Sequence, residues 1–379
     1  MASKFPIISI PAPGFEDVCA SEAGRLLGVH ASAGAGIVSF SVDTLLQACD
    51  YIYRAQTPSR VALELFSFKP AKGLAKAVTA QLAKVSLKDW LPEDATFVVR
   101  ADLDIEGRQE LEAELGETIY ESTKAKVDLK RPDVTFLVVV RGAYGAFGID
   151  LSGDDLGKRD YRIFLGPDAL KGHVAASLVL LSGYAPGQLF LDPFCRSGVI
   201  PIEATLLATR RSPHHFGKEK FLFRRLPALK QTDWDAFFAK IDKDVSGDAT
   251  NILAMDPSFN NVSAAKKNAK IAGVIKQLTF SRTDLEFLDA KFGKHAVDTL
   301  VTLPPQPAQD MPELRVDSMM KDVFYQAEFV MKKNGTVVII CRTGADTIKK
   351  YAQEYKFTLK NERKARQGKA ELTVLTFQR

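Results

Sequence analysis

The stretch Leu189-Phe190-Leu191-Asp192-Pro193-Phe194-Cys195-Arg196-Ser197-Gly198 runs directly into Val199-Ile200-Pro201-Ile202-Glu203-Ala204. An apolar run ends on an acid and a tight turn, and a segment compatible with a helix opens behind it. That is the strand, loop and helix order of a nucleotide-binding α/β unit. A turn of small residues lets backbone N–H groups approach a ligand, and the acid can hold a charged or hydroxylated part of it. An ordinary βα corner would read the same in isolation, so the neighbouring segments have to decide.

They repeat the pattern. "NILAMDPSF" is a strand ending on Asp256, followed by "NNVSAAKKNAKIAGV", a helix closed by Gly273. "LTFSRTDLEFL" brings a third acid, Asp284, and "AVDTLVTLPPQ" is a fourth strand with its loop. Successive strand–acid–helix units predict a doubly wound parallel sheet with the acids at the strand ends. A carboxylate such as Asp256 at the end of the second strand can accept both hydroxyl hydrogens of a ribose. No G-x-G-x-x-G follows a predicted strand, which sets aside an NAD-type enzyme.

The N-terminal part is α+β. "FPIISI" and "GIVSFSV" read as strands, "FEDVCASEAGRLLG" and "DTLLQACDYIYRAQ" as helices, the latter with Asp43 as N-cap. "RVALELFSF", "TFVVRADL" and a pair of strands turning at Gly142–Gly145 alternate with helices over "GLAKAVTAQLAKV" and "GRQELEAELGETIYEST". A helix over "DALKGHVAASLVLLSGY" has Asp168 as its candidate cap.

The chain has 379 residues, 46% hydrophobic and 26% charged, with a net charge of +5. These values suit an ordinary protein of two or three domains with a mild basic excess. No apolar run approaches a membrane span, and the N-terminus lacks the apolar core of a signal peptide. Cys19, Cys49, Cys195 and Cys341 are scattered without ligand or disulfide spacing, so no metal is expected and a cytoplasmic location is. Lys124, Lys126, Lys130 and Arg131 cluster at a helix-to-strand junction, where they would contact phosphates; a solvated helix end would look alike. Arg210, Arg211, Lys218 and Lys220, with Arg224 and Arg225, share a loop with Phe216, Phe221 and Phe223. Such a loop can hold phosphates and stack bases, although Phe221 and Phe223 suit pinning it to the domain slightly better.

"LDPFCRSGVIPIEA" resembles the S-adenosylmethionine loop of the THUMP-domain RNA methyltransferases, usually DPFCGSGTIxIEA. "VDLKRPDVTFLVVV…GIDLSGDDLGKRDYR" is similar to the same family's THUMP and linker segments, and "AAKKNAKIAGV" to its AR.NA..AGV helix. The resemblance implies a class I (Rossmann-like) α/β fold with a seven-stranded methyltransferase sheet over 165–379. Ahead of it would lie a ferredoxin-like region over 1–55 and a THUMP-like RNA-binding domain over 56–155. It implies S-adenosylmethionine as cofactor, held by Asp192, Cys195, Ser197, Gly198, Asp256 and Asp284, with the last reaching the adenine amino group. Lys158 and Arg159 fall in a KRxYR signature and join the RNA-contact candidates.

Two positions depart from the family. Its amino-methylating members carry [DN]-P-P-[YF], whose Asn or Asp and following carbonyl accept the amine hydrogens while the aromatic stacks on the base. Here Thr302-Leu303-Pro304-Pro305-Gln306 keeps the prolines, and Thr302 or Gln306 is left as the candidate acceptor. Arg196 stands where the family has glycine. Two functions are therefore expected: methylation of guanine N2 in tRNA or 23S rRNA, or RNA binding by a catalytically silent relative acting in RNA processing or assembly.

Overall fold

Alternating and continuous apolar runs become strands much as the sequence leads one to expect. In the computed structural model, which describes residues 4–379 except 71–72, 104–106, 167–168, 249 and 309–310, the chain divides into two compact units. The first comprises Met1–Pro11, Cys19–Leu156 and His215–Lys243; the second comprises Ala12–Val18, Gly157–His214 and Asp244–Arg379.

The N-terminal elements are β1 (Phe5–Pro11), α1 (Glu16–Leu27), β2 (Ser32–Gly34), β3 (Ile37–Val42), α2 (Leu45–Arg54), β4 (Pro58–Phe68), α3 (Leu74–Leu82), β5 (Thr96–Leu103), α4 (Arg108–Thr123), β6 (Lys126–Val127), β7 (Val134–Arg141) and β8 (Tyr144–Asp150). Their eight strands form one sheet in the order β2-β3-β1-β4-β8-β7-β5-β6. The β-branched run Val134–Val140 is buried throughout because β7 lies inside the sheet, between β8 and β5. Helix α2 buries Leu45, Ala48, Cys49 and Ile52, one face at helical spacing. Its cap is Thr44 and not Asp43: the Thr44 side chain accepts the Gln47 N–H while the Gln47 side chain returns to the cap backbone, a reciprocal capping box.

The second unit opens with α5 (Gly172–Leu181), β9 (Phe190–Asp192) and α6 (Val199–Thr209). The cap of α5 is Lys171; the expected cap, Asp168, lies outside the described residues. The chain then contributes three short 3₁₀ turns (218–220, 222–224, 227–229) and α7 (Trp234–Asp242) to the first unit. Phe221 and Phe223 stack at 4.8 Å and are buried with Phe238 and the half-buried Trp234. Tyr53 donates to Asp242 Oδ1 at 2.7 Å, and Lys218 donates to Oδ2 at 2.5 Å. The stretch expected to be a cationic loop is therefore pinned by its aromatics. The apolar face of α7 had gone unread.

The remaining elements are β10 (Ile252–Asp256), α8 (Phe259–Ile271), β11 (Thr279–Arg282), α9 (Leu288–Lys291), β12 (Val297–Thr302), α10 (Glu313–Val330), β13 (Met331–Cys341), α11 (Ala345–Glu354), β14 (Thr358–Gln367) and β15 (Ala370–Gln378). They complete a seven-stranded sheet, β11-β10-β9-β12-β13-β15-β14, parallel from β11 to β13 with β15 antiparallel to β13. This is the class I sheet that the sequence implied. Helices α5, α6 and α8 contribute to one apolar core, and α9, α10 and α11 to another. Among the described residues no helix is long and apolar enough to cross a membrane.

Glu203 lies in the middle of α6 with no exposed surface. Arg159 meets it through Nε at 2.8 Å and Nη2 at 3.2 Å, and Tyr161 donates to its Oε1 at 2.7 Å. Breaking such a pair strands a buried charge, which costs about 3–5 kcal/mol. Glu203→Ala is expected to lose that much in urea unfolding followed by circular dichroism, whereas Arg159→Met with Glu203→Gln loses less. A Glu203→Ala loss below about 1 kcal/mol would contradict the buried pair.

Candidate functional site

Parallel register brings the three acids to one end of adjacent strands. Ala254 of β10 lies opposite Asp192 of β9, and Asp256 lies opposite Arg282 of β11, two residues before Asp284. Asp192 is buried, and its Oδ1 accepts the Thr302 hydroxyl at 2.7 Å and the Phe194 N–H at 3.2 Å. Burial, with Asp256 nearby, pushes its carboxyl up to about 7, against the pull of those two hydrogen bonds and of Arg196. Thr302, wholly buried, therefore serves the Asp192 carboxylate and does not face a substrate amine.

Asp256 is also buried. Its Oδ1 accepts Ser258 N–H and Asn261 Nδ2, both at 2.9 Å, and its Oδ2 accepts Arg196 N–H at 3.0 Å. A carboxylate oxygen takes about two such bonds, so roughly one acceptor position is left, on Oδ2. It can meet one ribose hydroxyl rather than two. Asp284 is exposed at the start of a 3₁₀ turn.

The turn between β9 and α6 is fastened at both ends. Cys195 N–H donates to Met255 O at 2.7 Å, and Gly198 N–H donates to Cys195 O at 2.6 Å. Gly198 has φ +81° at the N-cap of α6, and a Cβ there would lie 2.8 Å from the Ala265 side chain on α8. That left-handed, close-packed position requires glycine. Ser197 O accepts the Asn268 amide at 2.8 Å. Asn268, buried in α8, also accepts from Ile163 and Phe164 N–H (3.3 and 3.0 Å) and donates to Phe164 O at 2.9 Å. Asn268 had no role assigned from the sequence, although it is the Asn of the segment AAKKNAKIAGV that matches the AR.NA..AGV helix. The glycine cradle, the partly open Asp256 and the exposed Asp284 fit the nucleoside end of S-adenosylmethionine.

The two departures touch each other. Arg196 has φ +49°, a left-handed conformation that costs a residue bearing Cβ about 1–2 kcal/mol. Its Nη2 donates to Pro304 O at 3.1 Å, and Gln306 Nε2 donates to the same oxygen at 3.0 Å. Both lone pairs of that carbonyl are thereby used. Gln306 Oε1 accepts Arg342 N–H at 2.9 Å, so its amide spans the loop and the end of β13. Pro305 O takes a further bond from Gln306, and Leu303 is buried in the core. A cleft beside this loop is lined by Pro304, Gln306, Pro307, Asp317, Thr343 and Ile348.

The expected RNA contacts separate. Lys124, Lys126, Lys130 and Arg131 are exposed in the first unit, as is Lys220. Lys124 lies 5.4 Å over the ring of Tyr120. Lys158 and Arg210 are exposed in the second unit, and Arg211 is half-buried. Arg159 is committed to Glu203 inside the protein, and Lys218 to Asp242, so neither presents a free cation to RNA.

Residues 159–374 match the family model for the RMKL-like methyltransferase domain (UPF0020), and residues 75–146 match that for the THUMP domain. A tRNA (guanine(6)-N2)-methyltransferase of Methanocaldococcus jannaschii is 27% identical over 352 residues, 87% of this chain and 88% of the relative. Two solved structures share the fold: a possible methylase from Clostridium difficile 630 (TM-score 0.81, 19% identity, covering 99% and 98% of the two chains) and TrmN from Thermus thermophilus (0.72, 20%, 99% of each).

An acid whose folded pKa is raised holds its proton in the folded state while the unfolded chain has lost it. Stability from Asp192 is therefore fully present below about pH 4 and is lost as pH rises toward 7. Asp192→Asn is expected to lack that slope, so the difference between parent and variant unfolding free energies changes by roughly 1 kcal/mol per pH unit across that range. A difference independent of pH between 4 and 7 would contradict the burial of Asp192.

Proposed function

The chain belongs to the RMKL-like methyltransferase domain family, and from that premise we propose that it is an S-adenosylmethionine-dependent RNA methyltransferase acting on the N2 amine of guanine. The Methanocaldococcus relative supports tRNA over 23S rRNA as the substrate. Four buried free thiols support work in the cytoplasm. The observation that carries the reading is the placement of Asp192, Asp256 and Asp284 at or just beyond the carboxyl ends of the adjacent strands β9, β10 and β11, with the Gly198 turn following β9.

When bound, the cofactor supplies a methyl group on a sulfonium. The chain's part is to position. Asp256 Oδ2 takes one ribose hydroxyl, Asp284 takes the adenine amino group, and Gly198 keeps the approach of the backbone open. Asp192, through Thr302, ties the cofactor turn to the end of β12. An incoming amine needs acceptors for its hydrogens, and the carbonyl of Pro304 becomes one once Arg196 or Gln306 lets go. RNA is held by residues 56–155 through Lys124, Lys126, Lys130 and Arg131, and chemistry belongs to 165–379. Asp128 accepts the N–H groups of Lys130 and Arg131 and so fixes the backbone that carries two of those cations.

One observation favours the second reading, an RNA-binding protein without turnover: both acceptor sites of Pro304 O are filled by the chain itself. Transfer of labelled methyl from S-adenosylmethionine to bulk tRNA separates the two. The enzyme reading expects incorporation, reduced about tenfold or more in Asp256→Ala, because a hydrogen bond to a buried charged group is worth about 1.5–3 kcal/mol. RNA binding with no incorporation into tRNA or 23S rRNA would establish the second reading.

A further inference from the structure

Three consecutive apolar residues, Ile163, Phe164 and Leu165, are 62%, 40% and 46% exposed. They lie on a fastened backbone: the buried Asn268 amide accepts from Ile163 and Phe164 N–H and donates to Phe164 O. A run of this kind is held outward against the hydrophobic effect, which marks a contact surface.

The adjoining helix supplies the charge. From Pro257 to Thr283 the sequence has no acid, while Lys266, Lys267, Lys270, Lys276 and Arg282 are present. Lys266, Lys267 and Lys270 are exposed on α8, and among the described residues none of the three is in an ion pair. Lys267 Nζ sits 4.8 Å from the centroid of the Phe164 ring, which joins the cationic and apolar parts into one strip.

We propose that the Ile163–Leu165 segment and the lysines of α8 form a binding strip for single-stranded RNA, with Lys266, Lys267 and Lys270 on phosphates and Phe164 stacked on a base. Unpaired cations interleaved with an exposed aromatic fit a polyanion that carries flat apolar faces. A protein or membrane partner would not require that pairing. Asn268 is the strip's link to the cofactor turn, since the same side chain that holds Phe164 also holds Ser197 O. The inference rests on the RNA reading above and adds to it a second contact region, on the unit that carries the acids.

The test is fluorescence anisotropy of the full chain with a labelled oligouridylate of about 20 nucleotides, titrated across salt. Replacing Lys266, Lys267 and Lys270 together by Ala is expected to weaken binding and lower the slope of log affinity against log salt by about 2, at roughly 0.7 per phosphate contact. Phe164→Ala is expected to weaken binding about tenfold with the slope kept, because stacking releases no counterions. Parent-like affinity and slope in both variants would overturn the strip while leaving the RNA reading standing. No RNA binding by the parent would overturn that reading itself. Vesicles of phosphatidylserine and phosphatidylcholine form the second arm: losses confined to vesicles would assign the surface to a membrane and overturn the proposal.

Discussion

The second unit depends on how two buried carboxylates hold one turn. Asp256 accepts the N–H of Arg196, and Asp192 accepts the N–H of Phe194 and the hydroxyl of Thr302. Those bonds fasten the segment after β9 to its neighbours β10 and β12. Desolvating two acids side by side is costly, and hydrogen bonds to backbone N–H groups offset part of that cost. The result is a turn fastened by the protein's own bonds, which take up most of Asp256's accepting capacity.

The same economy links the two departures from the family pattern. A glycine at 196 would leave Pro304 O to Gln306 alone, whereas arginine fills its second lone pair. Leu303 meanwhile packs in the core and Gln306 bridges to Arg342. The loop is held by its own hydrogen bonds, with neither of the usual side chains. Activity then turns on whether one of these bonds opens when RNA is bound, which is a question of exchange between hydrogen-bond partners rather than of missing scaffold.

Much of the fold was legible because β9 and β10 are short apolar runs that end on an acid, and Asp284 follows two residues after β11. The Asp192, Asp256 and Asp284 positions followed from that alone. Contacts between distant residues were not legible. Arg159 looks like any basic-signature residue until Glu203, far along the chain, is seen to pair with it inside the protein. Arg196 and Pro304 lie 108 residues apart. Two misses did leave local signs: Gln47 stands three residues after Thr44, the spacing of a capping box, and the aromatics of α7 recur at helical spacing. The cations on the segment before α7 drew the reading away from its aromatics.

Whether the turn after β9 and its acids form a methyl-donor site is tested most directly by calorimetric titration of the full chain with S-adenosylmethionine. The account predicts one site per chain, with binding lost or severely weakened in Asp256→Ala while that variant's circular dichroism is unchanged. Equal affinity in the parent and in Asp256→Ala, or no binding by the parent at all, would contradict it.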